Sequence, residues 1–80
     1  MSKAEEMVYK IEFSITYGEE IPPITKRTLK KVIEIIEKRI ELHNYDVLHK
    51  LGYTDDGYAD KQEKLLNEML MVAKKLQSKG

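Results

Sequence analysis

Lys26-Arg27 and Lys30-Lys31 place four cations within the first turn and a half of an expected helix. Positive side chains at that end oppose the helix dipole, so local stability does not select them. A phosphate would reconcile the two, because the exposed N–H groups of a helix start and the cations act on the same anion. Lys26, Arg27 and Lys30 are the phosphate-contact candidates on this account. The competing account is an ordinary solvated face, with Glu34 and Glu37 one turn on, pairing with Lys30 and Lys31. A second polar set, Lys10, Glu12, Ser14 and Thr16, alternates with apolar residues. Were that segment one strand of a two-stranded ribbon, the set would line the outer face, at the width that enters a DNA major groove and meets base edges. Glu12 would serve there only by accepting from a cytosine amine, since phosphates repel it.

The remaining reactive types are sparse. His43 and His49 are the two histidines. His43 falls at the edge of an apolar helical stripe with no second His or carboxylate at metal spacing, so it reads as a packed core residue. His49 has Asp46 and Asp56 as candidate partners. Asp55, Asp56, Asp60 and Glu63 lack the alternating oxygen ligands of a calcium loop, and turn and cap chemistry accounts for them. Tyr45, Tyr53 and Tyr58 surround the central loop, where rings can stack on bases, meet a protein partner or close a small core. No nucleophile with a base, matched carboxylate pair or phosphate-cradling glycine loop is evident. Catalysis, metal binding and a cofactor are therefore not expected.

Eighty residues make one domain, near the size at which oligomerisation often supplements the core. Fourteen basic and fourteen acidic side chains cancel, so nucleic-acid binding would need a local cluster, not a global field. Cysteine is absent, which removes disulfides and thiolate chemistry and fits a reducing interior. With no apolar run of about 20 residues and no apolar stretch near Met1, the chain reads as soluble and cytoplasmic, without membrane contact. The Lys- and Glu-rich charge balance is common in hyperthermophile proteins, so a thermostable protein is expected.

The elements that must hold these groups follow from periodicity. From Met7 to Tyr17 every odd position is apolar or aromatic, the pattern of a half-buried strand. Nothing downstream repeats the alternation. A lone strand must find its hydrogen-bond partner elsewhere, and the expected partner is the same strand of a second copy, making a homodimer. Residues 18–24 form a connector in which Gly18 turns the chain, Pro22 and Pro23 exclude regular structure, and Ile21 and Ile24 anchor it. Thr25 is the expected N-cap of a helix over 25–43, with Leu29, Val32, Ile33, Ile36, Ile40 and His43 on one stripe. Val47 and Leu51 continue that stripe toward Gly52. Asn44, however, is a good N-cap, so 44–51 is either a separate short helix, which is favoured slightly, or a continuation. Thr28, Ile35 and Leu42 form a second stripe seven residues apart, placing Ile35 and Leu42 against a partner copy. After a polar loop at 52–59, Asp60-Lys61-Gln62-Glu63 has the form of a capping box and opens a last helix over 60–77. Its broad apolar side, Leu65, Met69, Val72 and Leu76 widened by Leu66, Leu70 and Ala73, is a possible surface for a protein partner.

The fold class expected is thus α+β, mostly α, with one N-terminal strand and two or three helices in one domain over 1–80. The segment Lys10 to Tyr17, with Ile11, Phe13 and Ile15 inward and Lys10, Glu12, Ser14 and Thr16 outward, followed by amphipathic helices, resembles the ribbon-helix-helix DNA-binding family of MetJ and Arc type. The resemblance covers about the first fifty residues, and the last helix would be an addition. It implies that Ile11, Phe13 and Ile15 knit an intertwined homodimer, that the four outward residues read bases, and that Asn44, at the start of the family's second helix, contacts phosphate. On this reading the protein binds double-stranded DNA and regulates transcription. The alternative is a non-enzymatic, dimeric helical protein-interaction module, favoured by zero net charge and by Glu12 on the reading face.

Overall fold

The computed structural model describes residues 2–49 and 56–79. It holds three helices, α1 (Lys3–Tyr17), α2 (Lys26–Leu48) and α3 (Asp56–Lys79), and no strand among the described residues. The expected N-terminal strand, and with it the α+β ribbon of a ribbon-helix-helix dimer, is overturned: the whole of that segment is helix.

The reason is visible residue by residue. Ala4, Met7, Val8, Ile11 and Ile15 recur at helical spacing, and all but Ile15 are buried, Val8 and Ile11 fully. Val8 and Ala4 stand at even positions, where an alternating strand would put polar residues. The apparent two-residue period over Met7–Tyr17 is two four-residue ladders superposed: Met7, Ile11 and Ile15 face the core, while Tyr9, Phe13 and Tyr17 lie about half a turn away. Both ends are also capped. Ser2 accepts from the Glu5 amide at 3.2 Å, with Glu5 and Glu6 in the first turn where carboxylates complement the dipole. At the other end Gly18 takes up the left-handed conformation (φ 74°) and donates its N–H to the Ser14 carbonyl at 2.9 Å.

Gly18 has no atom within 4 Å of where a Cβ would stand, so a side chain there meets open space and only the backbone objects. Gly18→Ala should therefore lower stability by about 1 kcal/mol and the melting midpoint by roughly 4–8 °C. Gly18→Asn should recover part of that loss, because asparagine tolerates the left-handed region. Thermal melts of the three proteins side by side check the order.

Thr25 caps α2, its Oγ1 accepting from the Thr28 amide at 3.2 Å and donating to Thr28 Oγ1 at 2.9 Å. From there α2 runs unbroken to Leu48, with Asn44 exposed in its interior, so the continuation forms and no helix starts at Asn44. The α3 helix opens at Asp56, which places Asp60 inside it instead of at its cap. Leu51 and Gly52 to Asp55, with Tyr53 among them, lie outside the described residues, as does the side chain of Tyr58.

The core is one cluster: Ala4, Met7, Val8 and Ile11 of α1, Leu29, Val32, Ile33 and Ile36 of α2, and Leu66, Met69 and Ala73 of α3. Ile21 and Ile24 of the connector pack on its edge. Leu65, Leu70, Val72 and Leu76 also turn inward, so the broad apolar side of α3 is spent on the chain's own helices. Three helices thus bury the stripes that a lone strand would have left needing a second molecule.

Candidate interaction surface

Three places gather the side chains singled out by type: a ladder on the outward side of α1, a cleft between the three helices, and the cationic start of α2.

The ladder consists of Tyr9, Phe13 and Tyr17, which are 38%, 39% and 71% exposed. A helix in a three-helix bundle needs one apolar stripe, and α1 carries that stripe on Ala4, Met7, Val8 and Ile11. The aromatic ladder lies outside that stripe, with Tyr9 and Phe13 partly covered by the chain and Tyr17 mostly open. Its members are held in place nonetheless. The Arg39 guanidinium of α2 lies 5.4 Å over the centre of the Tyr9 ring, within cation–π range, and the Phe13 and Tyr17 rings sit 5.9 Å apart at a 48° tilt.

The cleft, of about 230 Å³, is lined by Glu12 of α1, Arg39, Leu42, His43 and Asp46 of α2, and Gln62 and Leu66 of α3. His43 is the one buried polar residue among those described, 6% exposed, and no buried side-chain nitrogen or oxygen there lacks a partner. The imidazole is thus a satisfied part of the wall. Two carboxylates against one guanidinium leave a single net negative charge, and the described lining includes no hydroxyl or thiol to act as nucleophile. Among the described residues no group of three or more His, Asp or Glu is arranged to hold a metal ion. A second, open groove of about 400 Å³ runs along the outward face of α3 over Asp60, Glu63, Lys64, Asn67, Glu68 and Met71.

The cations Lys26, Arg27, Lys30 and Lys31 are all exposed, and the first turn of α2 contains no acidic residue. Asn44 is exposed mid-helix, away from any helix start, so it has no N-terminal amide cluster with which to hold a phosphate. The base-reading set does not share a face. On a helix Lys10 and Ser14 fall on one side and Glu12 and Thr16 on another, with Glu12 turned into the cleft. Of the residues expected at a dimer interface, Ile11 is fully buried in the chain's own core, Ile15 and Ile35 pack partly against it, and Phe13 and Leu42 remain outside, Leu42 being 54% exposed.

Among the contacts of the described side chains, His49 meets Tyr45 and not Asp46, while the Asp56 side chain lies outside the described residues. Its ring stacks on Tyr45 at 4.1 Å, and its Nδ1 lies 2.9 Å from the Tyr45 carbonyl oxygen. A carbonyl only accepts, so Nδ1 carries the proton in this arrangement.

The sequence reading missed the ladder, although its i, i+4, i+8 spacing was the signal. It also missed the meeting of Glu12, Arg39, His43 and Asp46, which no spacing within one helix reveals. No described helix is long and apolar enough to cross a membrane. No protein-family model, curated protein or solved structure matches the chain.

Proposed function

We propose that this chain is a non-enzymatic helical module that binds protein through the outward side of α1, with a cytoplasmic site of action fitting the absence of cysteine. The observation that carries the reading is the Tyr9-Phe13-Tyr17 ladder: three large aromatic side chains, aligned and braced outside the buried stripe of α1, each left partly or largely open to solvent. Aligned aromatics exposed on a small domain are the usual anchors of a protein interface. The small cleft, with its satisfied histidine, offers no comparable anchor.

The test is capture by crosslinking in cells of the source organism, with Phe13→Glu as the comparison. A central aromatic anchor is worth about 2 kcal/mol or more, so the variant should lose its partner by at least about tenfold while keeping its helical circular dichroism. Equal capture by the two proteins would remove the ladder from the function.

One observation supports a second reading, duplex DNA held by Lys26, Arg27 and Lys30: these cations are exposed at a helix start that has no acidic residue to neutralise them. The paired-strand mode of reading the groove has no basis in an all-helical chain, so such binding would rest on phosphate contacts and fall steeply with salt. A gel-shift titration at low salt, with Lys26→Glu/Arg27→Glu as control, separates the two readings. The interaction module keeps its partner in that double variant, whereas a DNA binder loses its duplex.

A further inference from the structure

We infer that the exposed cations opening α2 are half of a larger site, an electropositive end of the bundle built jointly by α2 and α3, whose ligand is the phosphate backbone of duplex DNA. The inference rests on the duplex reading of Lys26, Arg27 and Lys30, and it adds Lys31 and the lysines that close α3.

The two helices lie side by side and run in opposite directions. The cleft joins Leu42, His43 and Asp46, late in α2, to Gln62 and Leu66, early in α3. At about 1.5 Å per residue, helices of 23 and 24 residues are each about 35 Å long, in a molecule whose longest dimension is 39 Å. They therefore run alongside each other over most of their length, and Leu29 and Ala73 join the same core. The start of α2 and the close of α3 are consequently neighbours at one end.

Charge is sorted along both helices toward that end. No acid precedes Glu34 in α2, and none follows Glu68 in α3. Lys26, Arg27, Lys30 and Lys31 thereby share the end with Lys74, Lys75 and Lys79, all exposed, so seven of the fourteen basic side chains gather there. The carboxylates closest to them are Glu19 and Glu20 of the connector, with Glu34 and Glu37 set back along α2. Among the described residues no ion pair ties Lys30 or Lys31 to Glu34 or Glu37. A positive field remains, and it is the local cluster that nucleic-acid binding demands of a chain with zero net charge. The helix dipole does not explain the arrangement: lysines in the last turns of α3 complement it, whereas the four cations opening α2 oppose it.

The kind of polyanion follows from what this end lacks. None of the large apolar side chains left exposed among the described residues falls within 26–31 or 74–79. A membrane-surface site needs an apolar face to bury among headgroups, and the centre of a protein interface needs an aromatic or aliphatic anchor. A platform for single strands needs rings on which bases stack. A duplex backbone asks only for cations placed along it.

The test is the anisotropy of a labelled DNA duplex of mixed sequence across salt, with the full chain and three double variants of equal charge change. If the wild-type end neutralises about four phosphates, its affinity should fall roughly a hundredfold between about 50 and 200 mM salt. Lys74→Gln/Lys75→Gln and Lys26→Gln/Arg27→Gln, each losing about two contacts, should bind more weakly and cut that fall to about tenfold. Lys61→Gln/Lys64→Gln, at the far end of α3, should match wild type. The changed side chains are exposed, so all the proteins should keep their helical circular dichroism. If Lys74→Gln/Lys75→Gln binds like wild type while Lys26→Gln/Arg27→Gln fails, the joint site is overturned and the duplex reading stands. Equal losses in all three variants overturn it too, as a response to net charge alone. No binding by wild type at low salt removes the duplex reading with it. Anionic phospholipid vesicles that displace the duplex at equal charge would assign the end to a membrane surface and likewise overturn the inference.

Discussion

Lys10→Pro should cost about 3 kcal/mol or more, although the side chain it removes is exposed and touches nothing in the core. Lys10 sits in the interior of α1, so proline there deletes an amide that bonds back to the Glu6 carbonyl and drives its ring against that same carbonyl. An 80-residue domain has roughly 4–12 kcal/mol of stability, so the loss would consume a large part of it. Lys10→Ala is the control, since alanine keeps the amide, loses only the exposed stem and should shift stability by no more than about 0.5 kcal/mol. Urea titrations of the two variants give the answer directly: the midpoint of Lys10→Pro should fall far below that of Lys10→Ala. Coincident midpoints would mean that residue 10 is not inside a helix. An outward edge-strand position would accept proline far more readily, so the same pair of proteins decides between the alternating-strand reading and the helix.

That choice shows what the sequence made legible and what it concealed. Thr25 as a cap, the stripe from Leu29 to Ile36, the inward residues of α3 and the irregular connector around Pro22 and Pro23 were readable because each depends on neighbours within a few residues. The α1 segment misled because residues four apart satisfy a period of two as well as a period of 3.6. Seven β-branched or aromatic residues between Val8 and Tyr17 then weighted the balance toward strand by propensity. The features that break the tie were local: Val8 at an even position, Ser2 with Glu5 three residues on, and Gly18 just past the last turn. Asn44 misled in the opposite direction. Its capping preference is real but weak, and the stripe of Val32, Ile36 and His43 is buried right up to it, so the helix continues through the local signal. The grouping of Glu12 with Arg39, His43 and Asp46 was beyond reach, since it depends on how three helices are set side by side.

Ile36→Ala tests the other consequence of an all-helical chain, that α2 is buried on one side by its own molecule. Ile36 has no exposed surface, sits near the middle of α2 and belongs to the single cluster that joins all three helices. Its truncation should cost about 2–5 kcal/mol, part from the lost transfer of its methyl groups and part from the cavity left behind. At about 4–8 °C for each kcal/mol in a domain of this size, the melting midpoint should drop by roughly 8–40 °C. Leu42, half exposed on the neighbouring side of the helix, should cost far less on the same change, no more than about 1 kcal/mol in the monomer. The contrast carries the inference, because two-sided burial of α2 predicts comparable losses at both positions. Chain concentration adds a second axis: a residue covered only in an assembled state shows a penalty that grows as the chain is concentrated, whereas the Ile36 penalty stays constant. Melts of both variants at dilute and concentrated chain would show whether α2 shares in any surface that a partner covers. Leu42 unaffected at every concentration leaves α1 as the face that meets another molecule.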